Sequence, residues 1–129
     1  MVPPALRTWF IVHFVADWLF ALPLFLFPDP FLRMLGWTSV DPMASRIVAA
    51  ALFGIGTQSL LARNASVDAF REMLGLKVIW SSTATAGIVW STLEGGPAMG
   101  WAFAATFAAF CGLWSYYRVR LGSTKLATP

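Results

Sequence analysis

The sequence has few charged residues. Asp, Glu, Lys and Arg together make up 12% of its 129 residues, whereas hydrophobic residues make up 58%. An average soluble domain carries roughly 25% charged residues, because polar groups must cover much of its surface. The composition therefore favours a protein of the lipid bilayer, and the length is that of one domain.

Cysteine, histidine and enzyme motifs are almost or wholly lacking. Cys111 is the one cysteine and His13 the one histidine, which excludes an internal disulfide and a cysteine-based metal cluster. The sequence contains no H-E-x-x-H, G-x-S-x-G, phosphate-loop or dinucleotide-binding motif. Its basic residues lie near the ends of apolar runs rather than in one patch, which does not suit nucleic acid. We therefore expect no metal, no cofactor, no nucleic-acid partner and, on balance, no catalysis.

Four apolar runs are long enough to cross a bilayer, which takes about 20 residues of helix. They extend from Ala5 to Phe27, from Ala44 to Ala62, from Met73 to Leu93 and from Pro97 to Tyr117. The sequence therefore predicts an all-α fold, an antiparallel bundle of four transmembrane helices. We expect residues 1–129 to form a single integral membrane domain.

The connections between these runs carry helix stop and start signals. Pro28 ends the first helix, and the segment Phe31–Trp37 suits a short helix in the membrane interface. Asp41 followed by proline is typical of a helix N-cap, and so is Ser66 before the third run. The Gly95-Gly96-Pro97 stretch predicts a tight turn between the last two helices.

The distribution of Lys and Arg predicts the orientation, because cytoplasmic loops are rich in them. Seven basic residues fall on one side of the predicted bilayer: Arg7, Arg63, Arg71, Lys77, Arg118, Arg120 and Lys125. Only Arg33 and Arg46 fall on the other side. Both termini are therefore expected in the cytoplasm.

His13 and Asp17 are the least expected residues of the first run. They stand four apart, so a helix places them on one face. A charged group near the bilayer centre costs roughly 2.5 to 3.5 kcal/mol on insertion scales, and aspartate is too short to reach an interface. Both side chains should therefore face the bundle interior.

We expect these two residues to belong to an interior polar cluster. The predicted members are His13, Asp17, Arg46, Gln58, Lys77 and Ser81. The cluster is either a structural network that fixes one helix arrangement or a site that titrates a proton or holds a ligand. Lys77 and Arg46 could instead extend towards the two interfaces.

Small residues at four-residue spacing predict close helix packing in the membrane. The predicted packing residues are Ala50, Gly54 and Gly56 in the second run and Ala104, Ala108 and Gly112 in the fourth. Phe103, Phe107, Phe110, Trp114 and Tyr117 form an aromatic stripe beside the second set. Packing explains both stripes, and a pigment or lipid site on the aromatic one is the alternative.

The order LFLFPDPFLRMLGW … ASRIVAAALFGIG resembles small prokaryotic four-helix membrane proteins of unknown function that are loosely DoxX-like. The resemblance covers about half the chain and implies the bacterial inner membrane. It carries over Arg46, Ala50, Gly54 and Gly56 as pattern positions and leaves His13 and Asp17 unassigned.

Two functions compete at this point. The first is a non-catalytic membrane protein that binds a small apolar ligand or lipid, or a partner subunit, as a homo-oligomer or in a larger membrane complex. The alternative is a proton-coupled small-molecule transporter, since the layout resembles four-span multidrug exporters with one acid in the first helix. A lipid- or quinone-directed enzyme with His13 and Asp17 as acid and base is a third, less favoured reading.

Overall fold

The regular structure of residues 1–123, the part of the chain that the computed structural model describes, is entirely helical. The elements are α1 (Pro4–Leu26), α2 (Pro28–Met34), α3 (Pro42–Leu61), a 3-10 turn (Ala62–Asn64), α4 (Val67–Leu93) and α5 (Met99–Ser123). The predicted all-α class is therefore confirmed, and each predicted span corresponds to one long helix. Lys125, which was counted in the charge bias, lies outside the described residues.

The helices fall into two compact units. The N-terminal unit, Pro3–Asn64, contains α1, α2 and α3, and the C-terminal unit contains α4 and α5 together with Met1–Val2. In the N-terminal unit the start of α1 lies beside the end of α3. Arg7 in the first turns of α1 donates a hydrogen bond to the carbonyl of Arg63, in the 3-10 turn that follows α3. The two long helices of this unit therefore run antiparallel.

The two long helices of the C-terminal unit are also antiparallel. Arg71, in the second turn of α4, donates a hydrogen bond to the carbonyl of Leu121 near the end of α5. About one turn earlier in α5, the guanidinium of Arg118 lies over Gly75, which is one turn later in α4. The core of this unit contains Phe70, Leu74 and Trp114, whose side chains are fully buried.

Helix boundaries follow the capping signals in the sequence. The Asp41 side chain accepts hydrogen bonds from the backbone N–H groups of Met43 and Ala44, at 2.9 and 3.1 Å. The Ser66 side chain accepts one from Ala69 N–H at the start of α4. Both predicted N-caps are confirmed, since each satisfies backbone donors that the first turn of a helix leaves without partners.

A glycine ends α4 and turns the chain towards α5. Gly95 has a φ of +99°, a conformation that residues with a Cβ atom rarely adopt. Gly96 N–H then donates to the Ser91 carbonyl and Gly95 N–H to the Thr92 carbonyl. This is a Schellman cap, and it produces the tight turn predicted from the Gly-Gly-Pro sequence.

The short helix α2 begins earlier than the predicted interfacial segment. It covers Pro28–Met34, because a proline suits the first helical turn as well as it ends a preceding helix. Arg33 Nε lies 2.9 Å from Asp29 Oδ2, on an exposed face. The hydrogen bond and the charge of Asp29 raise the pKa of the Arg33 guanidinium above its ordinary value.

Two stretches within residues 1–123 are long and apolar enough to cross a membrane by length and composition. They are Pro4–Leu26, which is α1, and Pro42–Asn64, which is α3 with the 3-10 turn. Helices α4 and α5 are as long, but Ser, Thr and Trp residues make α4 less apolar, and Gly, Trp and Tyr residues do the same for α5.

Candidate functional site

His13 and Asp17 form a buried pair on α1. His13 Nδ1 lies 3.2 Å from Asp17 Oδ2, one helical turn away. The two residues are 6% and 7% exposed, and they share the inner face of α1 with Phe10 and Ala21. The predicted inward orientation of both side chains is therefore present in the structure.

Gly56 of α3 lies directly against Asp17. A Cβ atom built at position 56 would be 2.8 Å from Asp17 Cβ and 3.1 Å from Asp17 Oδ2. The optimal separation of two non-bonded carbon atoms is about 3.5 to 4.0 Å, so a contact of 2.8 Å would be a clash. Gly56 thus lets α1 and α3 approach closely at Asp17, and of the three small residues predicted to pack in this run it is the buried one.

Trp18 of α1 lies on the exposed side of the contact between α1 and α3. Its indole Nε1 donates a hydrogen bond of 3.1 Å to Thr57 Oγ1. Its ring packs edge-on against Phe53 at 4.8 Å between centroids and tilted against Phe14 at 5.7 Å. The sequence gave no sign of the contact between Trp18 and Thr57, because no local pattern marks contacts between helices.

Arg46 does not take the place predicted for it beside Asp17. It is exposed, and its Nε donates a hydrogen bond of 3.1 Å to the carbonyl of Phe25 in the last turn of α1. Phe25 is eight residues beyond Asp17, which is about 12 Å along a helix. The last carbonyls of a helix lack partners within it and carry partial negative charge, so they attract this cation.

Gln58 is also outside the buried cluster. It lies on the exposed side of α3, whereas its neighbours Gly56 and Ser59 are buried. The rotation of α3 that brings Gly56 against Asp17 turns position 58 away, since residues two apart on a helix point about 200° apart. The structure therefore does not place Gln58 beside His13 and Asp17.

Lys77 and Ser81 are buried together on α4, in the C-terminal unit. Both are 2% exposed, and the Ser81 hydroxyl donates to the Lys77 carbonyl at 2.7 Å. Lys77 Nζ lies 5.1 Å from the centre of the Trp114 ring, within the range of a cation–π interaction. The Lys77 side chain is therefore buried within the C-terminal unit, and the sequence did not indicate that Trp114 would cover it.

The small-residue stripes face mostly outward. Ala50 and Gly54 are exposed on α3, and Ala108 and Gly112 are exposed on α5, whereas Ala104 is buried. The helices bury other apolar residues of α3 and α5 instead. These residues are Ala49 and Leu52 on α3 and Trp114, Tyr117 and Leu121 on α5. Four of the six predicted packing residues are therefore exposed in the described chain, and their packing role stays a prediction.

The described part of the chain contains no group of three or more His, Cys, Asp or Glu side chains that could hold a metal ion. The His13–Asp17 pair has its two atoms at ion-pair distance, 3.2 Å, and offers two side chains rather than a ligand set. No family model, curated protein or solved structure matches this chain.

Proposed function

We propose that this chain is an integral membrane protein with four transmembrane helices, α1, α3, α4 and α5. The observation that carries the proposal is the reversed distribution of polar and apolar side chains. His13, Asp17 and Lys77 are buried, whereas many large apolar side chains are exposed along the same helices. The exposed apolar residues of α1 alone include Ile11, Val12, Val15, Leu19, Leu22 and Leu26. Such a surface is expected against lipid and is unusual against water.

The hydroxyl groups of α4 support its assignment as a span despite its lower hydropathy. Five of its six hydroxyl groups donate to a backbone carbonyl three or four residues earlier in the helix, so that these five do not require water. These residues are Ser81, Ser82, Thr83, Thr85 and Thr92. Internal bonding of this kind is what allows hydroxyl side chains to lie in hydrocarbon.

The orientation with both termini in the cytoplasm rests on the charge bias of the sequence. The location in the bacterial inner membrane rests on the DoxX-like resemblance, which bears on the fold and the location.

The function that we propose is non-catalytic binding of a partner membrane subunit, or of a small apolar ligand or lipid. The exposed small residues favour the partner subunit. Nothing lies within 4 Å of a Cβ atom built at Gly54 or Gly112, and both adjoin exposed alanines one turn away. Small residues on the lipid-facing side of a helix let a second helix approach closely.

Purification in a mild detergent tests this function. We expect the wild-type chain to elute as a complex with a second copy, another membrane protein or bound lipid, identified by light scattering and mass spectrometry. Ala108→Leu should dissociate a complex formed through α5, because leucine holds the helices apart. Ala102→Leu, an exposed change elsewhere on α5, is the matched control. A monodisperse monomer that carries no protein, lipid or pigment contradicts the proposal.

A second candidate function, proton-coupled transport, is favoured by the buried His13–Asp17 pair. Ionisable groups inside a transmembrane helix often mark proton or ion pathways. In vesicles with an imposed proton gradient, Asp17→Asn should abolish movement of a lipophilic cationic dye. Asp29→Asn, a change of the exposed carboxylate that pairs with Arg33, should leave it unchanged. Wild-type transport by the Asp17→Asn protein would eliminate this candidate.

A further inference from the structure

Position 56 is the one place on the inner face of α3 where the structure requires the absence of a side chain. Ala49 and Leu52 carry side chains on that same face and are buried. At Gly56, in contrast, the three heavy atoms nearest to a built Cβ atom all belong to Asp17. The requirement for glycine therefore comes from the close approach of α3 to position 17 of α1, where the tightest contact is with Asp17 Cβ and the next with Asp17 Oδ2.

We propose that Gly56 is a positioning residue for the Asp17 carboxylate. With only hydrogen at position 56, the α3 backbone lies against Asp17 Cβ and leaves Asp17 Oδ2 beside His13 Nδ1, at 3.2 Å. A methyl group at position 56 would meet Asp17 Cβ, which is bonded to its own backbone and cannot rotate away. Either α3 or the α1 backbone must then shift, and the carboxylate moves with respect to His13.

The inference rests on the second proposed function for its biological role, because the site it describes is the proposed proton site. Its geometry can be tested without a transport assay. If the geometry is confirmed and the wild-type protein transports nothing, then only the proposed transport fails.

The single histidine provides a direct readout of this geometry. The full chain labelled with 15N-histidine and purified in detergent gives ring signals that belong to His13 alone. The carboxylate oxygen that lies 3.2 Å from Nδ1 favours a hydrogen on this ring nitrogen over the other one. We therefore expect a protonated Nδ1 in the wild-type spectrum, and loss of that signature in Asp17→Ala, which removes the acceptor and keeps the Cβ atom.

The variant Gly56→Ala should lose the same signature, whereas Gly54→Ala should keep the wild-type spectrum. Gly54 is a matched control, because it lies on the same helix and a Cβ atom there meets nothing within 4 Å. A wild-type histidine spectrum in Gly56→Ala would overturn the proposal. An unchanged spectrum in Asp17→Ala would overturn the pair itself.

A pair of double variants covers the case in which Gly56→Ala does not fold. In Asp17→Gly with Gly56→Ala the two Cβ positions are exchanged, so that the contact is relieved. In Asp17→Ala with Gly56→Ala both Cβ atoms are present, so that the contact remains. We expect a helical, monodisperse protein only from the first combination. Equal behaviour of the two combinations, folded or not, would show that the contact with Asp17 is not what requires glycine.

Discussion

Replacing Leu19 by arginine should make insertion of α1 into the membrane less favourable by about 3 kcal/mol. Leu19 is 72% exposed and lies about one turn from the centre of α1. Insertion scales give arginine about +2.5 to +3.5 kcal/mol at the centre of a spanning helix, whereas leucine is favourable by up to about 0.6 kcal/mol. A change of this size lowers the equilibrium constant for insertion by roughly two orders of magnitude.

The measurement is the inserted fraction of the full chain, followed with a glycosylation or protease-protection reporter. Leu26→Arg is the matched control, because Leu26 is also exposed but is the last residue of α1, from which arginine can reach the headgroups. An exposed leucine of a water-soluble protein would tolerate arginine within about 0.5 kcal/mol. Full insertion or a soluble, folded Leu19→Arg protein would therefore contradict the proposed membrane placement.

Trp114→Ala should lower the free energy of unfolding by about 3 to 5 kcal/mol, the range for truncating a buried tryptophan. Trp114 is fully buried and stacks on Phe110, with 5.6 Å between ring centres and 12° between planes. Its ring also faces the Lys77 amine. Loss of the indole therefore leaves a cavity and removes an aromatic face from a buried cation.

Unfolding in mixed micelles of increasing denaturing-detergent content measures this loss. Trp101→Ala on the same helix is the control, because half of the Trp101 surface is already exposed. Trp114→Phe should lie between the wild type and Trp114→Ala, since it keeps an aromatic face in a smaller volume. Equal losses in Trp101→Ala and Trp114→Ala would contradict the role assigned to Trp114.

The sequence was informative where local rules govern the structure. Four-residue spacing put His13 and Asp17 on one face of a helix, and Asp41 and Ser66 identified helix starts that the structure contains. These features depend on residues within a turn or two of each other. The cost of charge in hydrocarbon added the expectation that Asp17 would face inward.

Contacts between helices were predicted less well, for a physical reason. The rotation of α3 determines whether Gly54 or Gly56 faces α1, and small residues stand on both sides of that helix. Arg46 carries a long, flexible side chain, which reaches the carbonyl of Phe25, an acceptor that no local pattern marks. Side-chain reach and helix rotation are set by the whole packed unit, which spacing along the chain does not encode.

The arginine contacts at the ends of α1 and α3 have a consequence for biosynthesis. Arg7 binds the carbonyl of Arg63, and Arg46 binds the carbonyl of Phe25. All four residues precede α4 in the sequence. The donors and acceptors of these two hydrogen bonds are therefore synthesised before α4 and α5. Chains are made from the N-terminus and compact units form as they emerge. Helices α1 and α3 can therefore form these hydrogen bonds at both ends while α4 and α5 are still being translated.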